Sequence, residues 1–176
     1  MDLKEYAELA QRTASTTTAQ QKIGHGCLGL IGEAGEIVDI IKKWKYMGMS
    51  KDMAREKIID ELGDVCWYIA EWCAGSGMDM QSIFDGAVEI TCIKLTECAV
   101  WLVESATALY NHSQSGELMR HYQLEEITYI AKCVKKICEI MRIERDAVLT
   151  HNIDKLRQRY PQGFDADRSN GRYEHG

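Results

Sequence analysis

Proline is nearly absent from this chain, which has a single one, Pro161, among its 176 residues. Because proline breaks helix interiors, its scarcity is typical of a mostly helical protein. The sequence also lacks a run of about 18 apolar residues, so we expect no membrane span. Its first residues, Met1 to Glu5, have neither the basic start nor the apolar run of a signal peptide, and we expect none.

Clusters of positive charge are missing as well. The net charge is -6, and the chain contains no block of about five or more basic residues. Proteins that bind nucleic acid usually present a basic stripe, so we expect no nucleic-acid polymer among the partners. An acidic protein can still bind a polyphosphate where metal ions mediate the contact.

The cysteines lack the C-x-x-C spacing that is typical of structural zinc sites. Their number, seven, is odd, and they are Cys27, Cys66, Cys73, Cys92, Cys98, Cys133 and Cys138. Together with the missing secretion signal, this pattern predicts reduced, mostly buried thiols and a cytoplasmic location.

Strand-like alternation and long linkers are also absent, whereas apolar residues recur with helical periodicity along most of the chain. This periodicity predicts six helices, over residues 3–22, 24–46, 52–74, 80–109, 117–141 and 144–158. We therefore predict an all-α fold, a bundle of five to six helices that forms a single domain over residues 1–176.

Four acidic residues form two pairs with helical spacing. Glu33 and Glu36 are three residues apart on the second predicted helix, and Glu61 and Asp64 are three apart on the third. Residues at this spacing lie on one face of a helix. At about 100° per residue, each pair shares its face with apolar residues. These are Leu30, Ile37 and Ile40 for the first pair, and Ile58, Val65, Tyr68 and Trp72 for the second. Both pairs are therefore predicted to lie on faces that the helices bury.

Carboxylates on buried faces need partners, because an unpaired charge in an apolar setting costs on the order of several kcal/mol. Such a group either binds a divalent cation, or it is protonated or paired with lysine or arginine. Oxygen ligands favour Mg²⁺ or Mn²⁺ over zinc. No Glu is followed by a His three residues later, which excludes the Glu-x-x-His motifs of a di-iron bundle.

Glycines recur every three residues through the first half of the second predicted helix, at Gly26, Gly29, Gly32 and Gly35. Each glycine inside a helix costs about 1 kcal/mol relative to alanine. Two explanations are open: a close contact with another helix, or a ligand that approaches the backbone.

At these residues the sequence resembles the MazG-like all-α nucleoside triphosphate pyrophosphohydrolases, whose signature is E-x-x-E on one helix and E-x-x-D on the next. The matching segments read Gly-Glu-Ala-Gly-Glu-Ile at residues 32–37 and Asp-Glu-Leu-Gly-Asp-Val at 60–65. The family often has Glu where this chain has Asp60. Residues 152–164 resemble the closing helix of phage and bacterial members, and Ser169 and Arg172 resemble the tail that follows it.

The resemblance implies an enzyme that hydrolyses the α–β phosphoanhydride bond of a nucleoside triphosphate, giving the monophosphate and pyrophosphate. It implies Mg²⁺ as cofactor, with Mn²⁺ as a substitute, held by the catalytic carboxylates of Glu33, Glu36, Glu61 and Asp64. By analogy with phage relatives, the substrate is a deoxynucleotide, with a slight preference for dGTP or another purine. The expected assembly is a homodimer or homotetramer in a bacterial or phage-infected cytoplasm.

The resemblance also implies four substrate-binding residues. Lys155 and Arg159, four residues apart on the closing helix, match the family motif and would hold the phosphates. Tyr68 matches an aromatic position that contacts the nucleoside in relatives, although plain core packing would explain it equally well. Asn152 could bind a base or sugar through its amide, or anchor the start of a helix.

The segment at about 87–147 is absent from the short family members and is interpreted as an extra helical segment. The tripeptide Tyr-Ile-Ala occurs at residues 68–70 and again within this segment at 129–131. A degenerate repeat and two helices that share common residues both remain open. Two alternative functions also remain open: a phosphoribosyl-nucleotide pyrophosphohydrolase, and a non-catalytic helical interaction protein with an acidic metal patch.

Overall fold

The structure, a computed structural model, describes residues 1–91 and 94–163, with the side chain of Glu117 left out. Cys92, Phe164, Ser169 and Arg172 lie outside the described residues. Within these residues the fold contains seven α-helices and one short 3₁₀ helix, Gly116–Met119. The helices are α1 (Leu3–Gln11), α2 (Ala19–Tyr46), α3 (Lys51–Ser76), α4 (Met80–Gly86), α5 (Leu95–Ser113), α6 (Arg120–Met141) and α7 (Arg145–Arg159). The predicted all-α fold is confirmed.

Two predicted helices were too long, and the division of one of them into α4 and α5 gives seven helices where five to six were expected. The helix predicted over 3–22 ends at Gln11, because hydroxyl-bearing residues follow and Thr18 caps a new helix. Thr18 and Gln21 form a capping box, in which each side chain satisfies a backbone N–H of the other residue. The helix predicted over 80–109 is interrupted between Gly86 and Leu95.

The pair formed by α2 and α3 is the centre of the fold. The two helices run antiparallel, since only four residues connect Tyr46 to Lys51. Ser50 caps the start of α3 by accepting a hydrogen bond from the backbone N–H of Met53 at 3.1 Å. The helix stops at Gly77, whose φ of 71° is a left-handed conformation that glycine adopts without strain.

The other helices cover this pair from two sides. Helix α5 packs against both α2 and α6, whereas α1 and α7 both pack against α3. The extra segment predicted at about 87–147 thus contains α5, the 3₁₀ helix and α6. Side chains from all of the larger helices share one apolar core, which includes the fully buried Leu30, Leu62 and Leu102.

The cysteines in the described residues behave as the sequence predicts. All six are buried thiols outside any disulfide. Burial raises the pKa of the Cys27 thiol to about 11 and that of Cys73 to about 12, so both remain protonated at neutral pH. None of the described helices is long and apolar enough to cross a membrane.

Candidate functional site

Three of the four predicted carboxylates converge where α2 passes α3. Glu33 on α2 and Glu61 and Asp64 on α3 each bring one oxygen atom into a group whose members lie within 4.8 Å of one another. All three side chains are half-buried. A set of partly buried oxygen donors at this spacing has the chemistry of a Mg²⁺ or Mn²⁺ site.

The electrostatics of this carboxylate cluster (Glu33, Glu61 and Asp64) fit a cation as well. Burial and repulsion from Asp64 and Glu61 raise the pKa of Glu33 to about 8. Burial, with repulsion from Asp60 and Asp64, also raises the pKa of Glu61. Glu33 is therefore mostly protonated at neutral pH unless positive charge enters the cluster. The residues present thus fit a divalent cation.

Glu36 lies apart from the carboxylate cluster. Its side chain is exposed, so the prediction that it lies on a buried face is wrong. Three residues advance a helix by about 300°, which turns Glu36 some 60° away from Glu33 and past the contact with α3. Gly32 and Gly35, on this same open side of α2, have nothing within 4 Å of the position that a Cβ would take.

Close contact with α3 explains only part of the glycine series. A Cβ on Gly26 would lie 3.1 Å from the backbone nitrogen of Trp72, so this glycine allows α2 and α3 to approach closely. A Cβ on Gly29 would lie 2.1 Å from the ring of Tyr68. Close packing accounts for these first two glycines, whereas Gly32 and Gly35 remain open.

Lys155 brings positive charge to one side of the cluster. Its Nζ donates to Asp64 Oδ2 at 2.7 Å and to Asp60 Oδ1 at 2.6 Å. Burial alone would lower the pKa of Lys155, but Asp64 and Asp60 outweigh it and raise that pKa. Asp64 is therefore paired with a lysine, which is one of the outcomes that the sequence predicts for carboxylates on buried faces. Glu33 and Glu61 have no such ion pair within the described part of the chain.

Asn152 lies inside the protein, in the middle of α7 rather than at its start. The side chain is fully buried. Its Nδ2 donates to Asp64 Oδ1 at 2.9 Å, and its Oδ1 accepts a hydrogen bond from the Tyr6 hydroxyl at 2.8 Å. The amide therefore contacts the carboxylate cluster and offers no exposed surface to a nucleotide in this structure.

The other two predicted substrate-binding residues, Tyr68 and Arg159, contact aromatic rings. Tyr68 is half-buried one helical turn beyond Asp64, and its ring meets those of His25 and Trp67 edge-on at 5.4 and 5.0 Å between centroids. Arg159 lies one turn beyond Lys155, with its guanidinium carbon 5.0 Å from the centre of the Tyr160 ring.

Sequence reasoning missed a buried acidic residue, Glu71. Its side chain is fully buried, and its oxygens lie 2.6 Å from His25 Nδ1 and 2.5 Å from Thr16 Oγ1. The hydrogen bond to Glu71 raises the pKa of His25, although partial burial opposes the shift. One signal in the sequence could have found it, since Glu71 continues the spacing of Asp64 and Tyr68 along the face of α3.

An open cleft lies between α3 and α7, beside the cluster. Its volume is about 440 Å³. The residues around it are polar or charged, and they are Glu56, Lys57, Asp60, His151, Asp154, Lys155 and Gln158. Asp60 and Lys155 thus connect the cleft with the carboxylate cluster.

Comparison with known proteins gives one match. Residues 25–97 match the family model described as the MazG nucleotide pyrophosphohydrolase domain. This stretch includes most of α2, all of α3 and α4, and with them the four predicted carboxylates, whereas Asn152, Lys155 and Arg159 lie beyond it. Searches of curated proteins and of solved structures give no significant match.

Proposed function

We propose that the protein hydrolyses a nucleoside triphosphate to the monophosphate and pyrophosphate, since residues 25–97 match the model of the MazG nucleotide pyrophosphohydrolase domain. The bond cleaved is the α–β phosphoanhydride. The observation that carries this proposal is the convergence of Glu33, Glu61 and Asp64, all within the matched domain, in one half-buried oxygen cluster.

The carboxylate cluster would hold Mg²⁺, with Mn²⁺ as a substitute. A divalent cation bound there would neutralise charge on phosphate oxygens and would make a nearby water more acidic. Glu36 is one helical turn from Glu33 and exposed to solvent, so it can complete the ligand set from the open side of α2. One of these four carboxylates accepts the proton of the attacking water.

The basic side chains of α7 would bind the triphosphate. Lys155 neutralises Asp64 and Asp60, and with a cation bound to Asp64 it would be available to hold the phosphates. Arg159, one turn further along, provides a second positive charge. Tyr68 lies on the α3 face that carries Asp64, and it would contact the nucleoside.

The substrate that we propose is a deoxynucleoside triphosphate, with a preference for dGTP or another purine, in the nucleotide pool of a bacterial or phage-infected cytoplasm. This choice rests on the analogy with phage relatives. The assembly that we propose is a homodimer or homotetramer. Large exposed apolar side chains on α2 and just after it support self-association, among them Leu28 and Met47.

The decisive experiment measures pyrophosphate release from a panel of ribo- and deoxynucleoside triphosphates with Mg²⁺, Mn²⁺ or EDTA. We expect metal-dependent release of pyrophosphate in equal amounts with the monophosphate, fastest with a deoxypurine. Release of phosphate instead of pyrophosphate, or no reaction with any triphosphate, would overturn the proposal. A phosphoribosyl-nucleotide in the same panel tests the related activity.

Substitutions in the carboxylate cluster test the site. We expect Glu33→Gln and Glu61→Gln each to lower kcat about a hundredfold or more, because each removes a charge from the group that binds the cation. The matched control is Glu139→Gln on α6, an exposed residue paired with Lys136, which should keep the wild-type rate. Near-wild-type turnover in either cluster variant would refute the site assignment.

A further inference from the structure

A hydrogen-bonded chain of buried groups leads from α1 through α7 to the carboxylate cluster. Tyr6 and Asn152 are both fully buried. The Tyr6 hydroxyl lies 2.8 Å from Asn152 Oδ1 and 3.2 Å from the carbonyl oxygen of Gly63. Asn152 Nδ2 in turn lies 2.9 Å from Asp64 Oδ1. The hydrogen bonds therefore connect two fully buried side chains to Asp64, whose carboxylate is partly exposed to solvent.

We propose that Tyr6 and Asn152 are positioning residues, which fix the orientation of the Asp64 carboxylate so that it can bind a divalent cation together with Glu33 and Glu61. This inference rests on the proposed function only in so far as that function places a cation at the cluster. It assigns roles to two residues outside the matched domain, one near the start of the chain and one near the end of its described part.

The direction of each hydrogen bond supports this role. Asn152 can orient Asp64 only if its Nδ2, and not its Oδ1, faces the carboxylate, because an amide oxygen there would repel it. The Tyr6 hydroxyl favours that orientation by donating to Oδ1 on the opposite side. The Asp64 carboxylate only accepts hydrogen bonds and so selects Nδ2, whereas the Tyr6 hydroxyl holds the other end of the amide in place.

Close approach of α7 to α3 makes the contact with Asp64 short. A Cβ on Gly63 would lie 2.8 Å from the Cβ of Asn152 and 3.0 Å from its Nδ2. Gly63 stands directly before Asp64 in the chain, so the missing side chain leaves the space in which Asn152 reaches the carboxylate. Lys155, one turn along α7, holds the second oxygen of Asp64. Where a cation takes the place of Lys155 at that oxygen, Asn152 would still hold Asp64 Oδ1.

A purely structural role would give different results. The same hydrogen bonds connect α1, α3 and α7, so their loss must lower stability whether or not they orient Asp64. Affinity for the metal alone separates the two roles, because it depends on ligand geometry and is measured without nucleotide or turnover. Substitution of a residue that orients a metal ligand typically weakens binding by about 10- to 100-fold.

The test titrates the full-length protein with Mn²⁺ in the absence of nucleotide, follows free Mn²⁺ by electron paramagnetic resonance, and measures urea unfolding in parallel. Tyr6→Phe removes one hydroxyl and keeps the ring, whereas Asn152→Leu removes the amide at similar volume. We expect both variants to bind Mn²⁺ about 10- to 100-fold more weakly. Excess Mn²⁺ should restore the turnover of Tyr6→Phe.

The matched control is Thr13→Val, which removes another buried hydroxyl between α1 and α3, the one that accepts from Trp67 Nε1 at 3.0 Å. It should lower stability and leave Mn²⁺ affinity unchanged. If Asn152→Leu does not fold, Tyr6→Phe alone decides the result. Wild-type Mn²⁺ affinity in Tyr6→Phe overturns the positioning role and leaves the proposed function intact. A wild-type protein that binds no Mn²⁺ overturns the metal site and this role together.

Discussion

At the scale of single residues, the carboxylate cluster couples protonation to folding. Glu33 carries a pKa raised to about 8 by burial and by its acidic neighbours, against about 4.3 for a free glutamate. Between these two values the folded protein binds a proton that the unfolded chain releases. The charge of Glu33 therefore opposes folding above neutral pH until a cation enters the cluster.

The resulting prediction concerns the metal-free protein in the presence of EDTA. Because the folded pKa of Glu33 is the higher one, the stability that its proton contributes is present at acid pH and is lost as the pH rises from about 4 through 8. Glu33→Gln carries no titrating proton, so its free energy of unfolding should decline less across this range. Urea unfolding between pH 5 and pH 9 measures the difference.

Glu139→Gln again serves as the control. It removes an exposed carboxylate that pairs with Lys136, so this variant should keep the wild-type pH dependence of stability. The raised pKa of His25 adds a further loss of stability as the pH rises above the ordinary titration range of histidine. This loss is expected in all of these variants. Parallel curves for Glu33→Gln and wild type would show that Glu33 titrates normally in the folded protein.

At the scale of helices, the fit between α2 and α3 depends on the absence of side chains at a few positions. Gly75, near the end of α3, faces the start of α2, where a Cβ would lie 2.8 Å from the carbonyl oxygen of Ala19. Further along the pair, Gly26 faces the backbone of Trp72. Because the obstacles are backbone atoms, the helices would have to move apart to admit a methyl group.

Two alanine substitutions should therefore act in opposite directions. We expect Gly75→Ala to lower the free energy of unfolding by about 1 to 3 kcal/mol, as overpacking does. Gly32→Ala, whose Cβ would meet nothing within 4 Å, should raise it by up to about 1 kcal/mol through helix propensity. Chemical denaturation of the two variants checks both signs. Equal effects would contradict the packing that distinguishes the two glycines.

At the scale of the whole molecule, one face of α2 remains open although α3 and α5 cover the others. It contains Leu28, which is 57% exposed, followed by Gly32 and Gly35 at helical spacing. Two glycines without a neighbour cost the helix stability, and a large apolar side chain lies exposed beside them. A second copy of the chain packed on this face would explain both features.

If the homodimer or homotetramer forms through this face, Leu28→Glu should shift the protein towards the monomer, because it would bury an unpaired charge in the contact. Sedimentation velocity at micromolar concentration measures the shift. Leu118→Glu, at an apolar side chain that is 84% exposed in the 3₁₀ helix, is the control and should sediment as wild type does. A monomeric wild-type protein, or dissociation by Leu118→Glu alone, would contradict the assignment.

The sequence by itself determined the helical class, and three of the four carboxylates that it predicted meet in the carboxylate cluster. Both follow from local rules: apolar periodicity along each helix, and spacing of three residues between acidic side chains. The same rules misjudged Glu36, which the periodicity put on a buried face, and overlooked Glu71, because one glutamate on an apolar face gives a weak signal.

Only the tertiary structure decided how these residues are combined. The register of α2 against α3 brought Glu33 to Glu61 and Asp64 and left Glu36 in solvent. The approach of α7, 88 residues away from Asp64 in the chain, turned Asn152 inward onto that carboxylate. Spacing along one helix predicts which side chains share a face. The partner of that face depends on packing between distant segments, which no local pattern encodes.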